Sequence, residues 1–125
     1  MKQAIKESYK AHRVERLLFD LKSSFVIVEG KHDLNVLNKL GIKSYTYESV
    51  MRKINVPTEK AILMMDLDRR GVAKAEMVSS LLLGENIAVD NKTGRSLLLL
   101  LNTIHVEGIL TPVEQLFKIE KQNVI

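Results

Sequence analysis

A chain of 125 residues fits one domain and is too short for two. Its apolar share of 46% and charged share of 27% are those of a globular protein, and with only 5% aromatics the core has to be built from Leu, Ile, Val and Met. A net charge of +4 is compatible with a polyanionic partner without requiring one, the lack of cysteine excludes disulfides and thiolate metal sites, and no apolar run is long enough to cross a membrane.

The first 21 residues, MKQAIKESYKAHRVERLLFDL, carry charges throughout, unlike a secretion signal, and a cytoplasmic protein is the expectation. Residues 4–22 predict an amphipathic helix, because Ile5, Val14, Leu17, Leu18 and Leu21 can share a face. It is expected to pack on a domain spanning 23–125 or on a second copy of the chain. Phe25-Val26-Ile27-Val28 is a short, continuously apolar, β-branched run, the pattern of a strand buried on both faces. Residues 33–40 predict a helix closed by Gly41, and 42–47 a second strand. A short helix over 48–53 is stopped by Pro57.

A third apolar strand over 61–65 runs into Asp66-Leu67-Asp68. A helix over 71–83, closed by Gly84, leads to a fourth strand at 87–89. Thr93 or Gly94 opens a helix to Leu101, and 103–106 predicts a fifth strand. Thr111 is the expected cap of a last helix, with Pro112 at its first position and Glu114 three residues past the cap. Strands alternating with helices imply an α/β fold of the Rossmann-like kind: a mostly parallel sheet of four to five strands with helices on both faces.

Ligands of such sheets gather at the carboxyl ends of the strands. Glu29 follows the first strand, and Asp66 and Asp68 follow the third. If those strands are neighbours, the three carboxylates meet at one edge, where their mutual repulsion calls for a cation. Oxygen ligands suit Mg²⁺, which keeps waters and takes further ligands from substrate phosphates. Gly30 and Gly71 permit tight turns and close approach to a ligand, and Lys31, Arg69 and Arg70 beside the acids can hold phosphate oxygens.

Two segments carry a family resemblance. Val26-Ile27-Val28-Glu29-Gly30-Lys31-His32-Asp33 resembles the first Toprim motif, an apolar strand followed by Glu-Gly and an acid three residues on. Ile62-Leu63-Met64-Met65-Asp66-Leu67-Asp68-Arg69-Arg70-Gly71 resembles the second, an apolar strand followed by Asp-x-Asp-x-x-Gly. The likeness covers about residues 23–110, and the layout is similar to small stand-alone Toprim proteins of archaea and bacteria. It implies Glu29 as general acid or base or metal ligand, Asp66 and Asp68 as Mg²⁺ ligands, and Asp33 and Gly71 as supports of the motif loops.

Topoisomerases attack with a tyrosine on a separate domain, and primases need zinc- and helicase-binding parts; neither activity is the expectation for these 125 residues. Tyr9, Tyr45 and Tyr47 sit in expected helix and strand positions instead. A Mg²⁺-dependent nuclease acting on RNA or DNA is therefore the leading expectation. A nucleic-acid-binding or partner-binding module without turnover, a homodimer, or a subunit completed by another chain are the other readings.

The plainer alternatives are loop carboxylates for the acids, a helix cap for Asp33, and solvated charges for Lys31, Arg69 and Arg70. His32, in the loop after the first strand, and His12 and His105 read as lone histidines without a catalytic role, Glu107-Gly108 as a turn, and 90–95, with Lys92 and Arg95, as a solvated loop. The Asp-x-Asp lies on the wrong strand for a haloacid-dehalogenase phosphatase. The acid pair and later lysine of a receiver domain are absent, as is any Gly-rich nucleotide loop.

Overall fold

The β-branched run forms strand β1 (Phe25–Val28), whose last three residues are fully buried. The computed structural model that shows this describes residues 2–52 and 58–123, with the side chains of 8–52 and 58–118. Lys53 and Pro57, the expected end and stop of the short helix, lie outside the described residues, as does the side chain of Ile5.

β1 is central. It pairs in parallel with β2 (Ser44–Thr46) on one side and β3 (Lys60–Met64) on the other, and β4 (Ala88–Asp90) extends the sheet from β3, giving the order β2–β1–β3–β4. The fold is thus a Rossmann-like α/β domain with an all-parallel sheet of four strands. Chain direction across the sheet reverses once: β1 to β2 runs outward one way, and β2 to β3 to β4 runs the other. The winding switch, and with it the ligand crevice of this architecture, lies between β1 and β3.

Successive strand residues point to opposite faces, so each face has its own core. Val26, Val28, Ile62 and Met64 pack under α1 (Lys2–Lys22), α2 (Lys31–Lys39), α5 (Lys92–Leu100) and α6 (Leu110–Asn123). Ile27, Ala61, Leu63 and Met65 pack under α3 (Tyr47–Arg52) and α4 (Arg69–Gly84), through Val50, Val78 and Leu82. α1 presents Ala11, Val14, Leu18 and Leu21 to the first core and packs on α5 and α6.

Three helices end alike. After α2, α4 and α5 a residue with left-handed backbone follows, at Gly41 (φ 77°), Asn86 (φ 62°) and Asn102 (φ 54°). The next amide donates five residues back each time: Ile42 to Leu37, Ile87 to Leu82 and Thr103 to Leu98, at 2.9, 2.9 and 3.1 Å. This is the Schellman ending, for which Asn substitutes for Gly. Gly41 matches the expectation. Gly84 does not close its helix; it is the last helical residue, and the reversal comes at Asn86.

The expected fifth strand is absent. Asn102 turns the chain away from the sheet, and the Thr103 hydroxyl then holds the His105 backbone, accepting from its N–H at 3.3 Å and donating to its carbonyl at 3.2 Å. A 3₁₀ turn, Val106–Gly108, runs directly into α6. Thr111 consequently lies inside the first turn of α6, not at its cap, where Val113 N–H already bonds Ile109. Pro112 is tolerated there because first-turn amides have no partner within the helix. α5 likewise starts earlier than Thr93. Asp90 receives the amides of Lys92 (2.8 Å) and Thr93 (3.1 Å) and the Thr93 hydroxyl (2.7 Å), so the expected solvated loop is an ordered helix start. Burial of Asp90 works to raise its pKa, but these bonds outweigh it and hold the carboxyl below the ordinary value.

Candidate functional site

The parallel register sets Val28 level with Met64, so the chain leaves β1 into Glu29 and β3 into Met65 and Asp66 at one edge. Asp68 ends the acid loop by capping α4, its Oδ1 accepting from Gly71 N–H at 2.7 Å. Gly71 is needed for close approach, not for an unusual φ: a Cβ there would strike the Asp66 carbonyl oxygen and lie 2.7 Å from its carbon and 2.9 Å from the Asp66 Cβ. Gly30 differs. Its backbone is extended (φ −144°) and a Cβ would meet nothing within 4 Å, so neither turn geometry nor crowding requires glycine there.

The segment that replaced the fifth strand is bonded onto the acid loop. Leu67 N–H donates to the Ile104 carbonyl at 2.7 Å, and Val106 N–H donates to Asp66 Oδ1 at 2.8 Å. Between these two bonds stands His105. Its Nδ1 lies 3.2 Å from Asp66 Oδ2 and 3.9 Å from Asp68 Oδ2. One ligand atom from each of Asp66, Asp68 and His105 falls within 4.8 Å of the others. The Asp66 hydrogen bond holds the His105 pKa above its ordinary value; slight desolvation opposes it, and the charges of Asp66, Asp68 and Glu107 add to it.

Among the described residues, that trio is the group able to share one ion, and Glu29 stands outside it. The Glu29 carboxylate faces Arg70, with Nε to Oε1 at 3.9 Å and side chains 25% and 87% exposed. Lys31 and Arg69 are also exposed beside the acids, as is His32. Asp33, in the first turn of α2, is half-buried, and its pKa is pushed up to about 6. Burial is the main cause, and the charge of Asp66 the next; the Gly30 backbone amide pulls it partly back, and Glu107 and Glu29 add a little. The same acids thus act on one another across the switch point.

A cleft of about 200 Å³ opens beside the trio, between α4 and α5, with Asp66, Val72, Ala75, Glu76 and Arg95 on its walls. His105 is the residue that reading the sequence missed. It follows Asp68 by 105 − 68 = 37 positions and carries no motif. Glu107 and Gly108, expected as a turn, form the end of the 3₁₀ turn that follows it. Of the other histidines, His12 is exposed on α1. Tyr45 stacks on Phe25 (centroids 4.5 Å apart), and Tyr47 accepts a bond from Lys74 Nζ at 2.9 Å.

Fold and site together define a doubly wound α/β protein with a carboxylate cluster at its winding switch. No family model matches the chain, and no curated protein does. It is similar to a solved structure described as a "putative protein from Aquifex aeolicus", with 30% identity and a TM-score of 0.64 over 74% of this chain and 94% of that one. At that identity and coverage, the chain belongs to the same family as the Aquifex protein. No helix among the described residues is long and apolar enough to cross a membrane.

Proposed function

We propose that this chain binds a divalent cation on Asp66 and Asp68 and processes nucleic-acid phosphodiesters, as a nuclease-like protein of the Toprim kind. One observation carries the reading. Each of the two carboxylates has one oxygen tied to a backbone amide and turns the other toward the same ring nitrogen, at the winding switch where this architecture takes its ligands. Hard carboxylate oxygens fit Mg²⁺, the ion that the Toprim resemblance implies. When bound, such an ion would neutralise phosphate charge and make a water more acidic.

The chain's own residues take the remaining roles. Asp66 and Asp68 bind and orient. Glu29, at the end of β1, is assigned proton transfer at the scissile phosphate. Its contact with Arg70 is a surface pair worth less than about 1 kcal/mol, so substrate can separate the two at little cost. Arg70, with Lys31 and Arg69, then meets phosphate oxygens. Gly71 lets α4 close on Asp66, and the Asp33 carboxyl faces the same cluster.

A second reading, a nucleic-acid-binding module without turnover, has one observation in its favour: Glu29 lies outside the group that can share an ion. A Mg²⁺ titration with labelled RNA and DNA separates the two. Cleavage that needs the metal and disappears in Asp66→Ala/Asp68→Ala supports the enzyme. Glu29→Gln should bind substrate yet cleave roughly 100-fold more slowly. Salt-sensitive binding without cleavage, weakened by removing Lys31, Arg69 and Arg70, would transfer the case to the module. Failure to bind any divalent ion would end both the metal assignment and the enzyme.

A further inference from the structure

The third member of the trio changes which ion the site should favour. We infer that His105 Nδ1 is a metal ligand alongside Asp66 Oδ2 and Asp68 Oδ2, and that it makes the site prefer Mn²⁺ over Mg²⁺. The inference rests on the metal-site reading above.

Three features support it. The spacing is right: Nδ1 stands 3.2 and 3.9 Å from the two oxygens. Adjacent ligands on an octahedral ion with bonds near ~2.1 Å lie about 3 Å apart, and opposite ones about 4.2 Å. The oxygens are already assigned. Asp66 Oδ1 is held by Val106 N–H and Asp68 Oδ1 by Gly71 N–H, which leaves one oxygen of each to ligate, the arrangement that supporting bonds impose on metal-binding carboxylates. The histidine is positioned by the acid loop itself. Its two chain neighbours, Ile104 and Val106, each bond to that loop, so the ring moves with the acids. Its side chain is 47% exposed, which leaves the outer side of the site open to water and phosphate.

Mg²⁺ demands oxygen and releases its waters reluctantly, whereas a neutral imidazole is a good ligand for later divalent ions, and Mn²⁺ accepts both donor types in the same octahedral geometry. The competing explanation is that protonated His105 is only a counter-charge to the two acids. A ligand must lose its proton and bond to the ion; a counter-charge must leave when the ion arrives.

The test uses the whole chain with MnCl₂ or MgCl₂ alone. Affinities come from calorimetry and from loss of the free Mn²⁺ paramagnetic resonance signal. Pulsed resonance on the Mn²⁺-loaded protein reads ¹⁴N coupling from a bound imidazole. We expect Mn²⁺ to bind the parent roughly tenfold or more tightly than Mg²⁺, with ¹⁴N coupling present. His105→Ala and His105→Gln should lose the coupling and most of that preference while remaining folded by circular dichroism and still binding Mg²⁺ through Asp66 and Asp68. Missing ¹⁴N coupling in the parent, or an unchanged Mn²⁺/Mg²⁺ ratio in both variants, would overturn the inference and leave the Asp66/Asp68 site standing. Absence of binding by either ion would overturn both.

Discussion

Replacing Gly71 with Ala tests the tight join between α4 and the acid loop. In an ordinary helix position Ala would gain about 0.5–1 kcal/mol over Gly. At 71 the added methyl meets the Asp66 carbonyl group and Cβ, all nearer than 3.0 Å. Overpacking costs about 1–3 kcal/mol, and the upper end applies because backbone cannot rotate aside as a side chain can. The net loss is about 2 kcal/mol, or roughly 6–10 °C in Tm for a chain of this length. Gly84→Ala is the matched control. It is also helical, at the end of α4, but a Cβ there meets nothing within 4 Å. It should raise stability by about 0.5 kcal/mol. Differential scanning calorimetry reads both shifts, and metal binding should weaken only in Gly71→Ala, since displacing α4 also moves Asp68. If Gly71→Ala is neutral or stabilising, α4 does not press on the Asp66 backbone, and the account of how the acids are positioned fails.

Two further outcomes follow from buried or bonded carboxylates, and they have opposite pH signs. The Asp33 pKa rises on folding, from 3.8 to about 6, so its ionisation costs the folded state stability that is intact below about pH 4 and lost as pH climbs to about 6. Asp33→Asn should flatten that dependence and stabilise the metal-free protein at pH 7 by on the order of 1 kcal/mol, after allowing for solvent screening of a half-buried group; urea denaturation from pH 4 to 7 would show an unchanged slope if the reasoning is wrong. The Asp90 pKa is lowered, so its contribution is present above the unfolded value and lost as pH falls through the folded one. Asp90→Ala should cost about 1–2 kcal/mol at pH 7 through the lost start of α5, with Asp90→Asn milder, and equal urea midpoints for all three proteins would show that this cap is not needed.

Local patterns were enough for much of this molecule. The β-branched run at 25–28 and the apolar run before Asp66 could be buried only as central strands, and they became β1 and β3. Whether the two strands are neighbours was left open by the alternation of elements; the pairing of β1 with β3 supplied that condition and set Glu29 and Asp66 at one edge. Local reasoning failed where one short segment could satisfy its hydrogen bonds in two ways. Residues 103–106 have strand composition, but Asn102 turns them aside and the acid loop takes their backbone bonds. Thr111 has the chemistry of a helix cap, yet the turn before it had already begun the helix.

The sequence by itself determined the class of fold and the acids at the carboxyl ends of its strands, because hydrophobic period and strand-end position are local properties that one chain displays along its length. Only the tertiary structure decided the composition of the cluster. It brought in His105 from 37 positions beyond Asp68 and paired Glu29 with Arg70 outside the trio. The reason is physical: which side chain completes a site depends on where a returning segment finds partners for its backbone groups, and here those partners were the Asp66 carboxylate, which accepts from Val106 N–H, and the Leu67 amide, which donates to the Ile104 carbonyl; no spacing along the chain encodes either.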